Sequence, residues 1–191
     1  YGERTFPTSG ITMNNADKVE EDYNDSHTTG ARLALKLDLS ENWSILPSIM
    51  TQTEKTGGTF ANDPVIGDRE VTRYYPESLE DKFTQAALTV TGKVGNFDLV
   101  YAYSTLDRDI TGESDYNDYG FWYDVVSGYG AYAIDNNYDY VNPSQYIQSL
   151  DKYKKNSHEL RISSPQDRRF RFIGGLFMQE QSHDIQQRYK I

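Results

Sequence analysis

The sequence predicts an all-β fold built from antiparallel hairpins, and three observations support this prediction. Apolar and polar residues alternate with a period of two in three separate blocks, which is the pattern of a strand with one apolar face. A short turn divides each block, so each block supplies two strands. Long connections rich in Tyr and acidic residues separate the blocks. The expected result is six sequential antiparallel strands.

The first hairpin is predicted over residues 27–53, with strands at 28–39 and 43–53. Alternate positions of its first strand are apolar: Ala31, Leu33, Leu35, Leu37 and Leu39. The return strand places Trp43, Ile45 and Ile49 on one face together with Pro47. Proline cannot donate a hydrogen bond to a neighbouring strand, so Pro47 weakens this part of the prediction.

The second and third hairpins follow the same plan. Residues 82–107 give strands at 82–94 and 97–107, joined by a tight turn at Gly95-Asn96. Residues 156–182 give strands at 156–164 and 170–182, joined by a turn that contains Pro165. Asn142-Pro143, followed by apolar residues at helical spacing, predicts a short helix ahead of the third hairpin.

Short turns alternate with long connections, which is typical of outer-membrane β-barrels. Residues 1–26, 54–81 and 108–155 are therefore expected to be extracellular loops. An aromatic residue follows each short turn (Trp43, Phe97 and Phe170), as an interfacial girdle requires. Six strands cannot close a barrel, so residues 1–191 are predicted to form part of a larger one.

The alternation also predicts which side chains face the bilayer. The lipid-facing set is Leu33, Leu35, Leu37, Leu99, Tyr101, Leu160 and Phe172. The lumen-facing set is Arg32, Lys36, Glu159 and Arg161.

Two stretches resemble strands of a known family. They are residues 24–36, Asn-Asp-Ser-His-Thr-Thr-Gly-Ala-Arg-Leu-Ala-Leu-Lys, and residues 158–165, His-Glu-Leu-Arg-Ile-Ser-Ser-Pro, which run on to the Gly174-Gly175 strand. Both are similar to barrel strands of TonB-dependent outer-membrane receptors. The resemblance covers the hairpins, roughly residues 28–181, and does not extend to the loops. It concerns the barrel framework and does not identify a substrate.

The resemblance implies a 22-stranded barrel in the cell outer membrane, closed by a plug domain through which the TonB protein supplies energy. The cargo of such receptors is a scarce small molecule: a ferric siderophore, another iron complex, or an oligosaccharide. No plug-like segment or TonB-contacting motif occurs among these residues, so the plug is expected to lie outside them.

The stretch from residue 107 to 155 is the best candidate for ligand binding. It carries nine acidic and four basic residues, a net charge of -5, and nine of the 16 Tyr. Tyr and Trp offer rigid ring faces with a polar group, which suits sugar rings or aromatic chelates. The rings could equally pack the loop onto the barrel rim. The candidate residues are Tyr116, Tyr119, Phe121, Trp122, Tyr123, Tyr129, Tyr132, Asp135 and Asp139.

Several function classes are disfavoured. The chain has no Cys, which removes thiolate metal sites and cysteine nucleophiles, and its net charge of -10 disfavours nucleic acid. No nucleophile elbow, phosphate-binding loop or dinucleotide motif occurs, so we predict neither an enzyme nor a cofactor. The three histidines lie far apart, and no metal site is predicted. Asp135 and its neighbours leave a loop calcium site open.

Two alternatives remain open at this point. One is a soluble, secreted all-β carbohydrate-binding module that uses the same Tyr-rich loop. The other is a secreted β-structured enzyme acting on glycosides, because acidic residues are abundant in the loops.

Overall fold

A computed structural model describes residues 1–191, and most of them lie in antiparallel β-strands. Strands hold 57% of the residues and helices 9%, so the predicted all-β class is confirmed. In chain order the strands are β1 (Glu3–Thr5), β2 (Thr12–Asn14), β3 (Ser26–Ala34), β4 (Leu37–Ser40), β5 (Trp43–Gly57), β6 (Ser78–Val94), β7 (Phe97–Asp115), β8 (Tyr146–Ser163) and β9 (Ile173–Lys190).

The helical elements are short. One α-helix, α1, spans Asn117–Ser127, and 3₁₀ turns cover Ala16–Lys18 and Tyr129–Tyr132. No helix combines the length and the apolar character needed to cross a membrane.

Seven strands form one open antiparallel sheet in which chain neighbours are also spatial neighbours. The order is β3-β5-β6-β7-β8-β9, and β4 pairs with β5 beyond the end of β3. β1 and β2 form a separate small hairpin. The predicted pairing of sequential hairpins is therefore confirmed. The short turns lie at one end of the sheet, here called the turn end, and the long connections lie at the opposite, loop end.

Pro47 explains why the first predicted strand is divided in two. β3 and the start of β4 pair with β5 in the same register, which shifts only between Asp38 and Ser40, and the gap between β3 and β4 lies opposite Pro47. Leu35 still donates its N–H to the Pro47 carbonyl oxygen over 3.1 Å. Pro47 has no N–H to return the second hydrogen bond of this pair, so the ladder is interrupted at Leu35 and Lys36.

The strands extend further toward the loop end than the sequence predicts. β6 begins at Ser78, β7 continues to Asp115 and β8 begins at Tyr146, so the connections are residues 58–77 and 116–145. The predicted loops at 54–81 and 108–155 were too long. In these extensions both faces carry polar residues and neither is consistently apolar, which hides the period of two that identifies a strand.

Two other expectations from the sequence were wrong. The residues after Asn142-Pro143 do not form a helix, because Tyr146 begins a strand that pairs with β7 along its whole length. Here cross-strand pairing overrides the local helical spacing. The third return strand begins at Ile173, so Phe170 lies in the turn and is 83% exposed.

The register separates the sheet into two unlike faces. The face defined by Leu33, Leu88, Leu99 and Leu160 is called the apolar face, and the one defined by Arg32, Ala87, Glu159 and Arg161 the polar face. The predicted placement of Leu33, Leu99 and Leu160 on one face is confirmed. Arg32, Glu159 and Arg161 lie on the opposite face, also as predicted. Lys36 lies in the gap between β3 and β4, and Phe172 lies just before β9, opposite Ser164.

The apolar face carries an apolar belt that starts at the turn end. It reaches Ile49 on β5, Ala86 on β6, Thr105 on β7 and His158 on β8. Between these positions and the turn end, this face of the four strands carries no Asp, Glu, Lys or Arg. From Phe97 to Thr105 it spans eight residue steps of β7, or about 26 Å along the strand. The first charge on this face follows one to three same-face positions further toward the loop end. The charged residues there are Lys55, Glu80, Lys82, Asp107, Asp109, Lys152 and Lys154.

The belt is uncovered. Only 12 of the 191 residues are buried, and large apolar side chains of the belt are exposed, among them Leu33 at 59% and Leu176 at 76%. Phe97 and Phe172 meet at the turn end with ring centroids 6.0 Å apart, and Trp43 lies on the same face. This sheet is therefore a single layer, and its hydrophobic face has no partner within residues 1–191.

Candidate functional site

Three segments meet at the loop end of the sheet and pack into what we call the loop assembly: residues 1–18, 58–77 and 116–145. The buried hydrophobic residues of the chain are Phe6, Tyr74 and Ala133, one from each segment. Phe6 packs edge-to-face against Phe121, with ring centroids 5.8 Å apart. The small hydrophobic core of this chain therefore lies among its loops.

Asp115, at the end of β7, ties the second segment to the third. Its Oδ2 accepts hydrogen bonds from the backbone N–H groups of Tyr74, at 2.5 Å, and Tyr75, at 3.1 Å. Its Oδ1 accepts the N–H of Asn117 at 2.7 Å, in the first turn of α1. One carboxylate thus anchors a neighbouring loop and satisfies a free amide at the helix start.

Asp124 ties the first segment to the third. Its Oδ2 accepts the N–H of Thr8 at 3.1 Å, and its Oδ1 accepts the N–H of Gly130 at 2.6 Å. Burial of the carboxyl opposes ionisation, but the hydrogen bonds from Thr8 and Gly130 outweigh this effect and hold the pKa of Asp124 below its usual range. α1 ends at Ser127, and the φ of 67° at the next residue, Gly128, allows the left-handed cap.

Arg4 reaches from β1 to the other two segments. Its Nη1 lies 2.6 Å from Oδ1 of Asp118 on α1, and its guanidinium lies over the rings of Phe121 and Tyr74, at 4.8 and 5.4 Å from their centroids. Arg73, from the second segment, lies 3.4 Å from Oδ2 of the same Asp118. Asp118 therefore bridges two arginines that are remote in sequence.

Aromatic side chains of α1 and of the residues on either side of it form a second cluster, on the outside of the loop assembly. Tyr119 stands at its centre, with ring centroids 4.8 Å from Tyr116, 5.5 Å from Tyr123 and 5.8 Å from Trp122. Tyr129 meets Tyr123 edge-to-face at 6.3 Å. These five residues are called the aromatic cluster. Tyr119, Trp122 and Tyr123 are between 42% and 54% exposed, so ring faces remain open to a ligand.

The structure brings together some of the predicted site residues and separates others. Phe121 projects toward Phe6 and Arg4, so it belongs to the core of the loop assembly. Tyr132 is 81% exposed and makes no ring contact with the cluster. Asp135 uses its carboxylate locally, because Oδ1 accepts the N–H groups of Asn137 and Asp139 at 2.8 and 3.0 Å.

These local hydrogen bonds lower the pKa of Asp135 and close a polar turn. Asp139 supplies a backbone N–H and a carbonyl oxygen to that turn. No three His, Asp or Glu side chains converge on a position that would hold a metal ion.

Sequence reasoning missed the residues that other elements bring to this region. Tyr189 of β9 lies edge-on to Tyr116, with ring centroids 5.4 Å apart. Tyr189 pairs with Ile147 and so belongs to the polar face, which places the aromatic cluster next to that face. Tyr75 stacks on Tyr146 at 4.9 Å and shares a hydrogen bond with Ser144. Nothing in the local sequence signals these contacts.

A surface depression lies away from the aromatic cluster. It has a volume of about 430 Å³ and lies across β5 to β8 near the loop end. Its charged side chains are already paired, since Lys55 lies 3.1 Å from Glu80 and Gln148 donates to Glu113 at 2.6 Å. The depression is shallow and open, and the exposed rings of α1 remain the better candidate site.

Comparison with known proteins adds no evidence about this candidate site. No protein-family model matches the chain, and no curated protein matches its sequence.

Proposed function

We propose that this chain is a segment of the β-barrel of a TonB-dependent receptor in the cell outer membrane. The receptor takes up a scarce solute, either an iron complex such as a ferric siderophore or an oligosaccharide. In this proposal the apolar face contacts outer-membrane lipid and the polar face lines the lumen. The plug domain that contacts TonB lies outside residues 1–191.

The observation that carries the proposal is the uncovered apolar belt. Strands of outer-membrane barrels tilt by about 35–45°, so about 26 Å along the strand corresponds to a height of about 20 Å, which fits within their apolar band of roughly 25 Å. Aromatic residues (Trp43, Phe97 and Phe172) mark its edge at the turn end, and charged residues follow it at the loop end. A single-layer sheet exposed to water on this face would lose about 25 cal/mol for each Å² of apolar surface left unburied.

The loop assembly supports an extracellular position for the binding site. All three of its segments lie at the loop end, and the short turns lie at the other, as in barrels with short periplasmic turns and long external loops. The aromatic cluster then stands at the barrel mouth, beside Tyr189 of the lumen face. We assign ligand capture to this cluster, in particular to Tyr116, Tyr119, Trp122 and Tyr123.

A pair of adjacent substitutions on β6 tests the membrane proposal. Leu88 lies on the apolar face between Pro47 and Tyr103, and Ala87 lies on the polar face between Ser48 and Ser104. An arginine at the middle of the lipid face costs about 2–4 kcal/mol, whereas the lumen tolerates it. In the full-length protein, Leu88→Arg should sharply reduce the folded fraction recovered in the outer membrane, and Ala87→Arg should leave it nearly unchanged. Equal recovery of the two variants contradicts the proposal.

A soluble carbohydrate-binding module is the second candidate, favoured by the exposed rings of the aromatic cluster. It would require a second layer to cover the apolar belt. The two candidates differ in detergent dependence: the receptor segment needs detergent to remain dispersed, whereas the module stays monomeric in buffer alone. Sedimentation with and without detergent distinguishes them.

A further inference from the structure

The polar face of β9 carries no formal charge. Its odd-numbered residues from Ile173 to Tyr189 include no Asp, Glu, Lys or Arg, although the chain as a whole has a net charge of -10. Several of them carry groups that both donate and accept hydrogen bonds: Gln179, Gln181, His183, Gln187 and Tyr189. This surface therefore offers hydrogen bonds without an electrostatic preference for either sign.

The neighbouring strand adds charges that cancel. On the polar face of β8, Asp151 lies beside Ile185 and Lys155 lies beside Gln181. Further toward the turn end, Arg161 Nε lies 2.8 Å from Oε1 of Glu159. Two acidic and two basic residues thus leave the β8–β9 wall with a net charge of zero.

This wall is continuous with the aromatic cluster at the loop end. Tyr189 contacts Tyr116 through its ring. Further along, Tyr153 meets His183 edge-to-face at 5.7 Å and donates its O–H to Oε1 of Gln181 at 3.0 Å. Rings and amides therefore follow one another from α1 down the polar face of β9.

The carboxylates near the cluster are already engaged. Asp115 and Asp124 accept backbone N–H groups of the neighbouring loops, and Asp118 pairs with Arg4 and Arg73. They hold the loop assembly together and are not presented to a cation. Arg4 and Arg73 are both engaged by Asp118, so neither is free to pair with an anionic ligand.

We propose that the solute captured by the aromatic cluster is an uncharged oligosaccharide, and that the β8–β9 wall is its track along the lumen. The inference rests on the proposed function and narrows its ligand class. Sugar rings present C–H faces that pack on Tyr and Trp, and their hydroxyls match the amides of Gln181 and Gln187. A charged ferric chelate would lose hydration along β9, which offers no charged side chain, and would meet only Lys155 and Asp151 on the middle of β8.

Calorimetric titration of the full-length protein in detergent tests the ligand class. The uncharged probes are maltohexaose, cellohexaose and chitohexaose, and the anionic probe is ferric citrate. We expect one or more hexasaccharides to bind and ferric citrate not to bind. Trp122→Ala should weaken hexasaccharide binding at least tenfold, and Trp43→Phe should leave it unchanged.

Two adjacent glutamines provide the matched test of the track. Gln187 lies on the polar face beside Ser149, and Gln186 lies on the opposite face beside Leu150. Gln187→Leu should weaken hexasaccharide binding several-fold, and Gln186→Leu should not. Equal affinities of the two variants overturn the track.

If the protein inserts in the outer membrane but binds ferric citrate, or binds none of the hexasaccharides, the oligosaccharide proposal is wrong. The receptor proposal is not contradicted by that result. Failure of the receptor proposal is recognised separately, by equal recovery of Leu88→Arg and Ala87→Arg.

Discussion

The indole ring of Trp43 lies directly over Gly92, its partner on the neighbouring strand β6. A Cβ atom at Gly92 would collide with three carbon atoms of that ring. The aromatic side chain thus covers a glycine that would otherwise leave the strand backbone exposed, and Gly92 is buried as a result. This pair fixes the position of Trp43 at the turn end of the apolar belt.

Substitution of Gly92 should therefore displace the indole. Gly92→Ala is expected to destabilise the sheet by about 1–3 kcal/mol, because the added methyl group overpacks a filled position. Gly174 is the matched control, since it lies on the same face of β9 and a Cβ there meets no atom within 4 Å. Urea unfolding of the two variants in detergent measures the difference. Similar midpoints for both would show that Trp43 is not confined by Gly92.

The contacts of Arg4 predict that it holds the first segment in the loop assembly. Arg4→Ala removes an ion pair with Asp118 and two ring contacts, so the local opening free energy of residues 1–18 should fall by about 1–2 kcal/mol. Native-state hydrogen exchange at Phe6 and Gly10 reports this opening, because both amides donate hydrogen bonds within the segment. Arg69→Ala removes the same charge from an exposed loop position and should change the exchange rate of neither the Phe6 nor the Gly10 amide. Unchanged exchange in Arg4→Ala contradicts the assignment.

Asp124 should make the loop assembly sensitive to acid. Its pKa in the folded chain is lowered, so its ionised form stabilises the folded state above the unfolded pKa of about 3.9, and this contribution disappears as the pH falls through the folded value. Asp124→Asn should lower the local opening free energy at pH 7 by about 1.5–3 kcal/mol, as expected for weakened hydrogen bonds to a charged group.

The deficit of Asp124→Asn relative to the parent protein should shrink as the pH falls below about 4. Hydrogen exchange of the Thr8 and Gly130 amides, corrected for the intrinsic exchange rate at each pH, measures this deficit in opening free energy. Asp139→Asn, in the same connection, is the control and should leave the exchange of the Thr8 and Gly130 amides unchanged, because neither amide donates to Asp139. A deficit that stays constant with pH would mean that the charge of Asp124 is irrelevant.

Phe121 and Trp122 are adjacent in sequence, but truncating Phe121 should destabilise the loop assembly much more than truncating Trp122. Phe121 packs against Phe6 and Arg4, whereas Trp122 is 54% exposed. Phe121→Ala should lower the opening free energy of the loop assembly by about 1–3 kcal/mol, and Trp122→Ala should change it by less than about 0.5 kcal/mol. Limited proteolysis at residues 58–77 compares them. Greater cleavage in Trp122→Ala would assign that ring to packing and weaken the binding site.

The strand pattern was readable from the sequence wherever one face of the sheet is apolar. Leu33, Leu88 and Leu160 alternate with polar neighbours, and the structure places them on one face. Pro47 also had a local signal, because a missing N–H predicts a broken ladder wherever it occurs. Prediction failed toward the loop end, where Arg108 to Asp115 and Tyr146 to Lys155 continue as strands with polar residues on both faces.

The sequence by itself determined the hairpins, the two faces of the sheet and the presence of an aromatic, acidic stretch between β7 and β8. Period-two alternation is a local property of the chain, and burying one face is enough to specify it. Only the tertiary structure decided the roles within that stretch. It assigned Phe121 to the core and Trp122 to the surface, and it engaged Asp115, Asp118 and Asp124 in holding loops together. Their partners Tyr74, Thr8 and Arg4 lie 41 to 116 residues away in sequence. Such contacts depend on where the whole sheet brings its loops together, so no local pattern encodes them.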